Sequence, residues 1–302
     1  MAKLLLGREV TDALNADLAV RTAALRRRGI VPTLAIIRIG ENPSDLSYER
    51  GATKRAGLVG VEILRFVLPE TASRETVLSY IDHCNREPTI HGVLLLRPLP
   101  AHLRPFQNEI FNHLDPAKDV DCMTHLSNAG ILEGSTELGF APCTPAACME
   151  ILSHYGIDCS GKSAVVIGRS LVVGKPAALM LMERNATVTV CHTKTPDPAG
   201  LCRQADIIVS AAGKLHSLTR DFVRPGQIVI DVSINYDPEK PNASGTLGGI
   251  SGDACFEQIE PIVAAITPVP GGVGSVTTSV LMKHVVEAAE RKLPEGTEAG
   301  AF

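Results

Sequence analysis

The sequence contains no tryptophan, and aromatic residues make up only 4% of its 302 residues. Proteins that bind single-stranded nucleic acid stack the bases on aromatic side chains, so this chain has little to offer such a ligand. The formal net charge is −4, with acidic and basic residues interspersed along the chain. Neither a basic footprint for nucleic acid nor a basic patch for a membrane surface is indicated.

The chain also lacks the cysteine and histidine spacings of metal and redox sites. Its 8 cysteines include no C-x-x-C pair, and its 9 histidines form neither H-x-x-x-H nor H-E-x-x-H. We therefore expect no metal site, and we expect the cysteines to be reduced thiols of a cytoplasmic protein. No apolar run approaches the ~18 residues of a membrane span, and the run that follows Met1 is too short for a signal peptide.

Apolar, strand-like runs that alternate with helical segments are abundant. Continuous valine, isoleucine and leucine runs separated by helices are typical of a parallel sheet that is covered on both faces. The runs fall into two series, at 33–39, 61–68 and 92–100, and then at 163–168, 186–192, 205–213 and 226–232. A chain of 302 residues is long enough for two domains of about 150 residues each.

We predict an α/β fold with two domains. An N-terminal α/β domain, residues 1–140, is completed by a C-terminal helix at 276–292. A Rossmann-type, doubly wound dinucleotide domain spans residues 141–275. The polar residues 293–302 are expected to be disordered.

The stretch VVIGRSLVVGKP, residues 165–176, has the pattern of a phosphate-binding loop. Gly168 ends an apolar strand and Gly174 begins a helix, so backbone N–H groups and the helix N-terminus offer a site for a pyrophosphate. Ser170 stands where a G-x-G-x-x-G motif has its middle glycine. A plain strand–turn–helix connection is the alternative interpretation.

The residues after the next strand help to distinguish NADP from NAD. An NAD site usually has an acidic residue about 20 positions after the loop, where it holds the ribose 2′-hydroxyl. Here the strand ends in TVCHTKT, without a carboxylate. Arg169 adds a cation that could meet a 2′-phosphate. The sequence therefore favours NADP over NAD.

Six stretches and one tyrosine, in a fixed order, connect the chain to one family. They are GENP (40–43), Tyr48, PAKDVD (116–121), PCTP (142–145), VVIGRSLVVGKP (165–176), IDVSIN (230–235) and TPVPGGVG (267–274). On these motifs the chain resembles the bifunctional methylenetetrahydrofolate dehydrogenase/cyclohydrolase family over nearly its whole length. Their combination is far more specific than any single glycine-rich loop.

The resemblance implies two domains with a cleft between them, folate against the first domain and NADP on the second. Tyr48 would stack on the pterin or its attached aromatic ring, and Asp121 would hydrogen-bond the amino-pyrimidine edge of the pterin. The other implied contacts are Gly168, Arg169, Ser170, Gly174, Thr193 and Ile234 for the dinucleotide, and Leu96, Pro270, Gly271 and Gly272 for the folate. Alternatively, Tyr48 is a half-buried helix residue, Asp121 a turn residue, and 270–272 a turn before the last helix.

One residue that the family uses for its second activity is missing. Members with both activities show Tyr-x-x-x-Lys on the first-domain helix, and counting from Tyr48 places Ala52 at the lysine position. Lys54 is a poor substitute, because position 52 lies ~40° from Tyr48 around a helix whereas position 54 lies ~120° away on the other side. The glutamine that supports the lysine is also replaced, by Leu96, which Arg97 follows.

These departures predict an NADP-dependent methylenetetrahydrofolate dehydrogenase with little or no cyclohydrolase activity, in which Tyr48 and Asp121 position the substrate. Hydride transfer needs positioning alone, whereas hydrolysis of the methenyl product needs a group that moves protons. The first alternative is a bifunctional enzyme in which Lys54, Arg50 or Arg97 replaces the lysine. The second is a non-catalytic protein that binds folate or dinucleotide. A shikimate-dehydrogenase-like enzyme would need a Lys/Asp pair that the first domain lacks, and the family resemblance suggests a homodimer.

Overall fold

The computed structural model describes residues 1–135, 137–242 and 244–293. The chain forms two compact units. The 142–277 unit also includes residues 1–12, and the 13–141 unit also includes residues 278–293. Apart from Leu293, the tail that was expected to be disordered lies outside the described residues. Within the described part, no helix has both the length and the apolar character that crossing a membrane requires.

Helices and strands alternate along most of the chain. The helices are α1 (Gly7–Arg27), α2 (Pro43–Val59), α3 (Arg74–Arg86), α4 (Gln107–Asn112), α5 (His125–Glu133), α6 (Cys143–His154), α7 (Gly174–Glu183), α8 (Pro198–Gln204), α9 (Phe256–Ile259) and α10 (Val273–Glu290). The strands are β1 (Lys3–Leu4), β2 (Thr33–Ile39), β3 (Glu62–Leu68), β4 (Gly92–Leu95), β5 (Ser163–Ile167), β6 (Thr187–Cys191), β7 (Ile207–Ser210), β8 (Ile228–Asp231), β9 (Asn235–Pro241), β10 (Leu247–Ser251) and β11 (Ala265–Ile266). Short 3₁₀ turns cover Arg104–Phe106, Pro116–Lys118 and Arg220–Phe222.

Three parallel strands in the order β3-β2-β4 form the sheet of the 13–141 unit. The central strand β2 is buried at every residue, as its continuous apolar sequence requires. One of its faces joins α3 in a core cluster that includes Ile37 and Ile81. β4 ends at Leu95, earlier than predicted, because Pro98 and Pro100 have no N–H to donate to a neighbouring strand.

Six parallel strands in the order β1-β11-β8-β7-β5-β6 form the sheet of the 142–277 unit. After β5 the chain places β6 on one side and then crosses to place β7 on the other. Doubly wound sheets bind their ligands at such a reversal, outside the carboxyl ends of the strands. The predicted fold class, a two-domain α/β protein with a Rossmann-type domain, is confirmed.

Two features of the 142–277 unit do not follow from the apolar runs. β1 pairs with β11, so residues 1–12, which the sequence placed in the first domain, fold with this unit instead. β9 and β10 form a separate antiparallel hairpin. A strand of two residues and a strand of sequence NYDPEKP lack the apolar continuity on which the prediction depended.

The helix α2, which carries Tyr48 and Ala52, has clear signals at both ends. The Asn42 side chain caps its N-terminus by accepting a hydrogen bond from the Ser44 N–H at 3.0 Å. Gly60 ends it in the left-handed conformation, with φ +78°. Its buried residues are Asp45, Glu49, Ala52, Ala56 and Val59. Because two of these are acidic, burial of this face requires polar or cationic partners.

Glu49 finds two cationic partners on the sheet. Arg38 of β2 donates from Nε to Glu49 Oε2 at 2.8 Å, and Arg65 of β3 donates from Nε to Glu49 Oε1 at 2.9 Å. Arg38 also donates to the carbonyl oxygen of Gly40. The side chains of Arg38 and Glu49 are only 9% and 11% exposed. This Arg38–Glu49–Arg65 triad ties α2 to two strands of the sheet.

His284 of α10 is buried in the 13–141 unit, next to the loop that contains Asp121. Its Nδ1 lies 2.9 Å from the carbonyl oxygen of Val120, and its ring centroid lies 5.1 Å from that of Phe140. Burial lowers the pKa of His284 from its ordinary value of 6.5 to about 4. The imidazole is therefore neutral in the folded protein at physiological pH.

We expect His284 to make stability fall with acidification. Its pKa is lower in the folded chain, so the unfolded chain takes up the proton first and the stabilising effect, complete above pH 6.5, is lost as the pH falls towards 4. The free energy of unfolding should drop by about 3 kcal/mol from this group. Urea unfolding measured across this pH range should show a smaller drop in the free energy of unfolding for His284→Gln than for the parent protein. His125→Gln, at an exposed histidine, should keep it, and an unchanged slope in His284→Gln would contradict the expectation.

Candidate functional site

The carboxyl ends of β2 and β4 border a cavity in the 13–141 unit. It has a volume of about 550 Å³, and its lining includes Gly40, Asn42, Asp45 and Pro98. Parallel sheets bind ligands at this edge. Tyr48 is half-buried and lies one helical turn beyond Asp45 on α2. The residue predicted as an aromatic platform is therefore one turn away from a lining residue of this cavity, and Tyr48 itself does not line it.

The position at which the family resemblance implies a lysine is apolar in this chain. Ala52 lies one turn after Tyr48 and is 0% exposed. Leu96 is 7% exposed, and its N–H donates to the carbonyl oxygen of Ile37 at 3.0 Å. Leu96 comes one residue after the last pair of the β2–β4 register, which places it beside Arg38. Neither Ala52 nor Leu96 has a side-chain atom that could carry a proton.

Charged groups that the motifs do not reveal lie close to that position. Side chains on a helix lean towards its N-terminus, so a lysine at position 52 would extend towards Asp45 and Glu49. Asp45 is 6% exposed, and burial raises its pKa, although the nearby Arg38 opposes the shift. Two sequence signals could have revealed these charged groups. One is an arginine inside an apolar strand, and the other is a pair of acids on the buried face of a helix.

The three basic residues considered as replacements for the lysine have different positions. Arg50 and Lys54 are exposed on α2. Arg97 donates from Nη2 to Asp121 Oδ2 at 2.6 Å, and the two side chains are 28% and 16% exposed. A guanidinium stays protonated in proteins and cannot act as a base. In this structure Arg97 therefore acts as a partner of Asp121.

Two buried charged residues hold the loop that presents Asp121. The Lys118 ammonium donates to three backbone carbonyl groups at and just after the end of α3, at 2.6–3.0 Å. The Asp119 carboxylate accepts from the N–H groups of Met123 and Thr124 at 2.8 and 2.7 Å. With its neighbours fixed on both sides, Asp121 has little freedom to leave this position.

In the 142–277 unit, the predicted phosphate loop follows β5. Gly168 has φ +118°, and a Cβ on it would lie 2.3 Å from the carbonyl oxygen of Ala211. A Cβ on Gly174 would lie 2.3 Å from the carbonyl oxygen of Gly168. Ser170 Oγ accepts from the N–H groups of Val173 and Gly174 at 3.1 and 3.3 Å. Only glycine fits at positions 168 and 174. The strand end, the tight turn and the helix N-terminus together have the arrangement that suits a pyrophosphate.

The other predicted dinucleotide contacts are exposed residues near the carboxyl ends of strands. Arg169 follows β5, and Thr193 follows the neighbouring strand β6. Ile234 lies between β8 and β9 and is 59% exposed. The cationic side chain of Arg169 and the hydroxyl group of Thr193 are compatible with a 2′-phosphate.

The turn 270–272 precedes α10. Gly271 has φ +103°, and its carbonyl oxygen accepts from the Gly7 N–H at 2.8 Å. A Cβ on Gly272 would lie 2.5 Å from the carbonyl oxygen of Pro268. This turn belongs to the 142–277 unit, as do the predicted dinucleotide contacts. Tyr48, Leu96 and Asp121 belong to the 13–141 unit.

Thiols and metal-binding groups add no further site. All eight cysteines are free thiols, and only Cys255 is not classed as buried. In residues 1–135, 137–242 and 244–293, no group of three or more histidine, cysteine, aspartate or glutamate side chains could hold a metal ion.

Family models match two segments that together cover most of the chain. The catalytic domain of tetrahydrofolate dehydrogenase/cyclohydrolase matches residues 5–121. The NAD(P)-binding domain of the same enzyme family matches residues 142–293.

Individual relatives agree with these models. The bifunctional protein FolD of Carboxydothermus hydrogenoformans is 47% identical over 290 residues, which is 96% of this chain and 98% of the relative. The solved structure of the bifunctional FolD methylenetetrahydrofolate dehydrogenase/cyclohydrolase from Campylobacter jejuni is 37% identical, with a TM-score of 0.89 and coverage of 97% and 100%. The Trypanosoma brucei enzyme, solved with NADP and an inhibitor, is 33% identical, with a TM-score of 0.87 and coverage of 96% and 98%. The chain therefore belongs to the tetrahydrofolate dehydrogenase/cyclohydrolase family.

Proposed function

We propose that this protein oxidises 5,10-methylenetetrahydrofolate to 5,10-methenyltetrahydrofolate with NADP, and that its cyclohydrolase activity is weak or absent. The dehydrogenase assignment is supported by the family and by the retained Tyr48, Asp121 and 270–272 turn. The loss of hydrolysis is supported by one observation: the buried, apolar Ala52 stands next to Tyr48 where bifunctional members have a lysine.

Substrate positioning is assigned to residues that the family resemblance names. Tyr48 supplies an aromatic face on which the folate stacks. Asp121, held by its loop and by Arg97, accepts hydrogen bonds from the amino-pyrimidine edge. Leu96 provides an apolar contact, and the backbone of Gly271 and Gly272 allows the substrate to approach closely because neither residue has a side chain.

The dinucleotide is assigned to the loop after β5 and to residues near it. Gly168 and Gly174 leave the backbone open to the pyrophosphate, Ser170 holds the turn, and Arg169 with Thr193 would contact the 2′-phosphate. Ile234 would cover an apolar part of the cofactor. When bound, NADP accepts the hydride. NADP is preferred to NAD in this proposal because no carboxylate directly follows β6.

The two activities differ in what they require from the protein. Hydride removal needs the reacting atoms to be aligned, which the positioning residues supply. Hydrolysis needs a water molecule to be deprotonated and a folate nitrogen to be protonated, and a positioned acid or base typically contributes ~10²–10⁴ in rate. Ala52 and Leu96 cannot contribute to either proton transfer.

The test follows purified protein with 5,10-methylenetetrahydrofolate and NADP⁺, recording NADPH and the methenyl product at separate wavelengths. We expect the methenyl product to accumulate in step with NADPH and to decay at the rate measured in buffer without protein. Heat-denatured protein serves as the control for that decay. If NADPH forms while the methenyl product never accumulates, the proposed loss of hydrolysis is wrong.

A bifunctional enzyme is the second candidate function. The observation in its favour is Asp45, a buried carboxyl group with a raised pKa on the same helical face as Ala52. A carboxyl group whose pKa is raised by burial holds its proton more readily than an exposed one, as a general acid requires. Asp45→Asn would then slow methenyl decay to the buffer rate, whereas under the preferred proposal the variant and the parent decay alike. A non-catalytic protein, the candidate of another class, would bind both ligands without producing NADPH.

A homodimer is also proposed, with the edge of the three-stranded sheet as its support. β3 is the outer strand of this sheet, and its Leu64 and Val67 are 40% and 53% exposed. An edge strand with exposed apolar side chains is a favourable surface for a second chain.

A further inference from the structure

Arg97 contacts the residue that is proposed to hold the pterin, and none of the family motifs gives it a role. The bond from Arg97 Nη2 to Asp121 Oδ2 is 2.6 Å long, between side chains that are mostly withdrawn from water. Arg97 follows β4, and Asp121 follows the turn Pro116–Lys118. A short charge-assisted bond of this kind fixes the orientation of both groups.

The guanidinium carbon also lies 5.9 Å from the ring centroid of Phe111. This distance is within the range of a cation–π contact. Arg97 is therefore held by a charge on one side and by an aromatic ring on another, which restricts its rotamers. A restrained guanidinium can serve as a specific donor, because less freedom is lost when it binds a ligand.

Together, the two side chains present acceptors beside donors. An ionised carboxylate offers only acceptors, with about four lone-pair sites, and a guanidinium offers only N–H donors. The edge of a reduced folate pterin has a complementary order: its 2-amino group and N3–H donate, and the adjacent C4 oxygen accepts. A carboxylate alone satisfies the two donors and leaves the C4 oxygen without a protein partner.

We propose that Arg97 donates a hydrogen bond to the C4 oxygen of the pterin while Asp121 accepts from the 2-amino group and N3–H. This inference rests on the proposed folate site and adds a specificity determinant to it. The pair selects 4-oxo pterins over 4-amino pterins for two reasons. A 4-amino group would set its donors against the donors of Arg97, and a neutral 4-amino pterin has no N3–H for Asp121 to accept. Two buried donors that face each other without an acceptor weaken binding.

The test measures binding of tetrahydrofolate and of 4-amino-4-deoxytetrahydrofolate by isothermal titration calorimetry. We expect the parent protein to prefer the 4-oxo compound by at least about 10- to 100-fold, as for a hydrogen bond to a charged group. Arg97→Leu should reduce this preference by about 10-fold or more, and the preference that remains comes from Asp121 and N3–H. Arg97→Gln, whose amide both donates and accepts, should reduce it similarly, and it replaces the leucine variant if that variant fails to fold.

Arg74→Leu is the matched control, because it removes one positive charge from an exposed ion pair with Glu109 in the same unit. It should keep the full preference of the parent. An unchanged preference in both Arg97 variants would overturn the inference and leave the proposed function intact. Failure of the parent protein to bind tetrahydrofolate at all would overturn the proposed function and the inference together.

Discussion

Replacing Glu49 with alanine is expected to lower the free energy of unfolding by about 3–5 kcal/mol. Glu49 is the acid that bridges the two arginines of the Arg38–Glu49–Arg65 triad, and Arg38 is buried with it. Removing the carboxylate leaves the buried Arg38 guanidinium without its ion-pair partner. The Gly40 carbonyl oxygen and the nearby Asp45 then offset only part of its desolvation. Urea unfolding followed by circular dichroism measures the loss.

The comparison variants distinguish the cost of leaving a buried charge unpaired from the cost of losing an ion-pair contact. Glu109→Ala removes an acid whose pair with Arg74 is solvent-exposed, and we expect a change of about 0–1 kcal/mol. The double variant Arg38→Leu/Glu49→Leu removes both buried charges and should be more stable than Glu49→Ala alone. Equal losses in Glu49→Ala and the double variant would show that the triad is not the source of the effect.

Under the proposed function, introducing the lysine and glutamine together, as Ala52→Lys/Leu96→Gln, is expected to raise the rate of methenyl hydrolysis by about 10²–10⁴-fold. The lysine stem would extend along the buried face of α2 towards Asp45, and the glutamine would offer the ammonium a partner from the strand end. Ala52→Lys alone should have less effect, since without the glutamine the buried ammonium lacks a hydrogen-bond partner at the strand end.

Decay of the methenyl product, added directly to each variant without NADP⁺, measures this gain. Gly51→Lys with Leu96→Gln is the matched control, because it adds the same charge at an exposed neighbour with open space around its Cβ. The control should decay at the parent rate. If the Ala52→Lys/Leu96→Gln protein folds, forms NADPH from 5,10-methylenetetrahydrofolate and still decays at the buffer rate, then the apolar pair is not what limits hydrolysis.

Local sequence predicted some parts of this molecule well, for physical reasons. β2 has the predicted bounds, Thr33–Ile39. A strand that is buried on both faces is a nearly continuous run of apolar residues, and such a run is visible in the sequence. The glycines at 168 and 174 were identified because a tight strand-to-helix turn has no room for a Cβ. Ala52 was found by counting along one helix, where spacing and geometry are directly related.

Contacts that depend on tertiary structure could not be read in this way. Arg97 and Asp121 lie in loops after different elements, so no periodicity connects them. Arg38 looks like an exception in an apolar strand until α2 brings Glu49 to it. β1 is recognisable as a strand only through its pairing with β11 near the other end of the chain.

The pairing of β1 with β11 has a consequence for biosynthesis. The chain leaves the ribosome N-terminus first, and Lys3 has no native strand partner until Ala265 has emerged. At ~5–20 residues per second, this delay is on the order of 10–50 s. The sheet of the 13–141 unit needs no residue beyond Leu95 and can begin to assemble much earlier. During translation, the apolar run Leu4–Leu6 at the start of the chain is therefore exposed to chaperones and to incorrect strand pairing for longer than any other part of the six-stranded sheet.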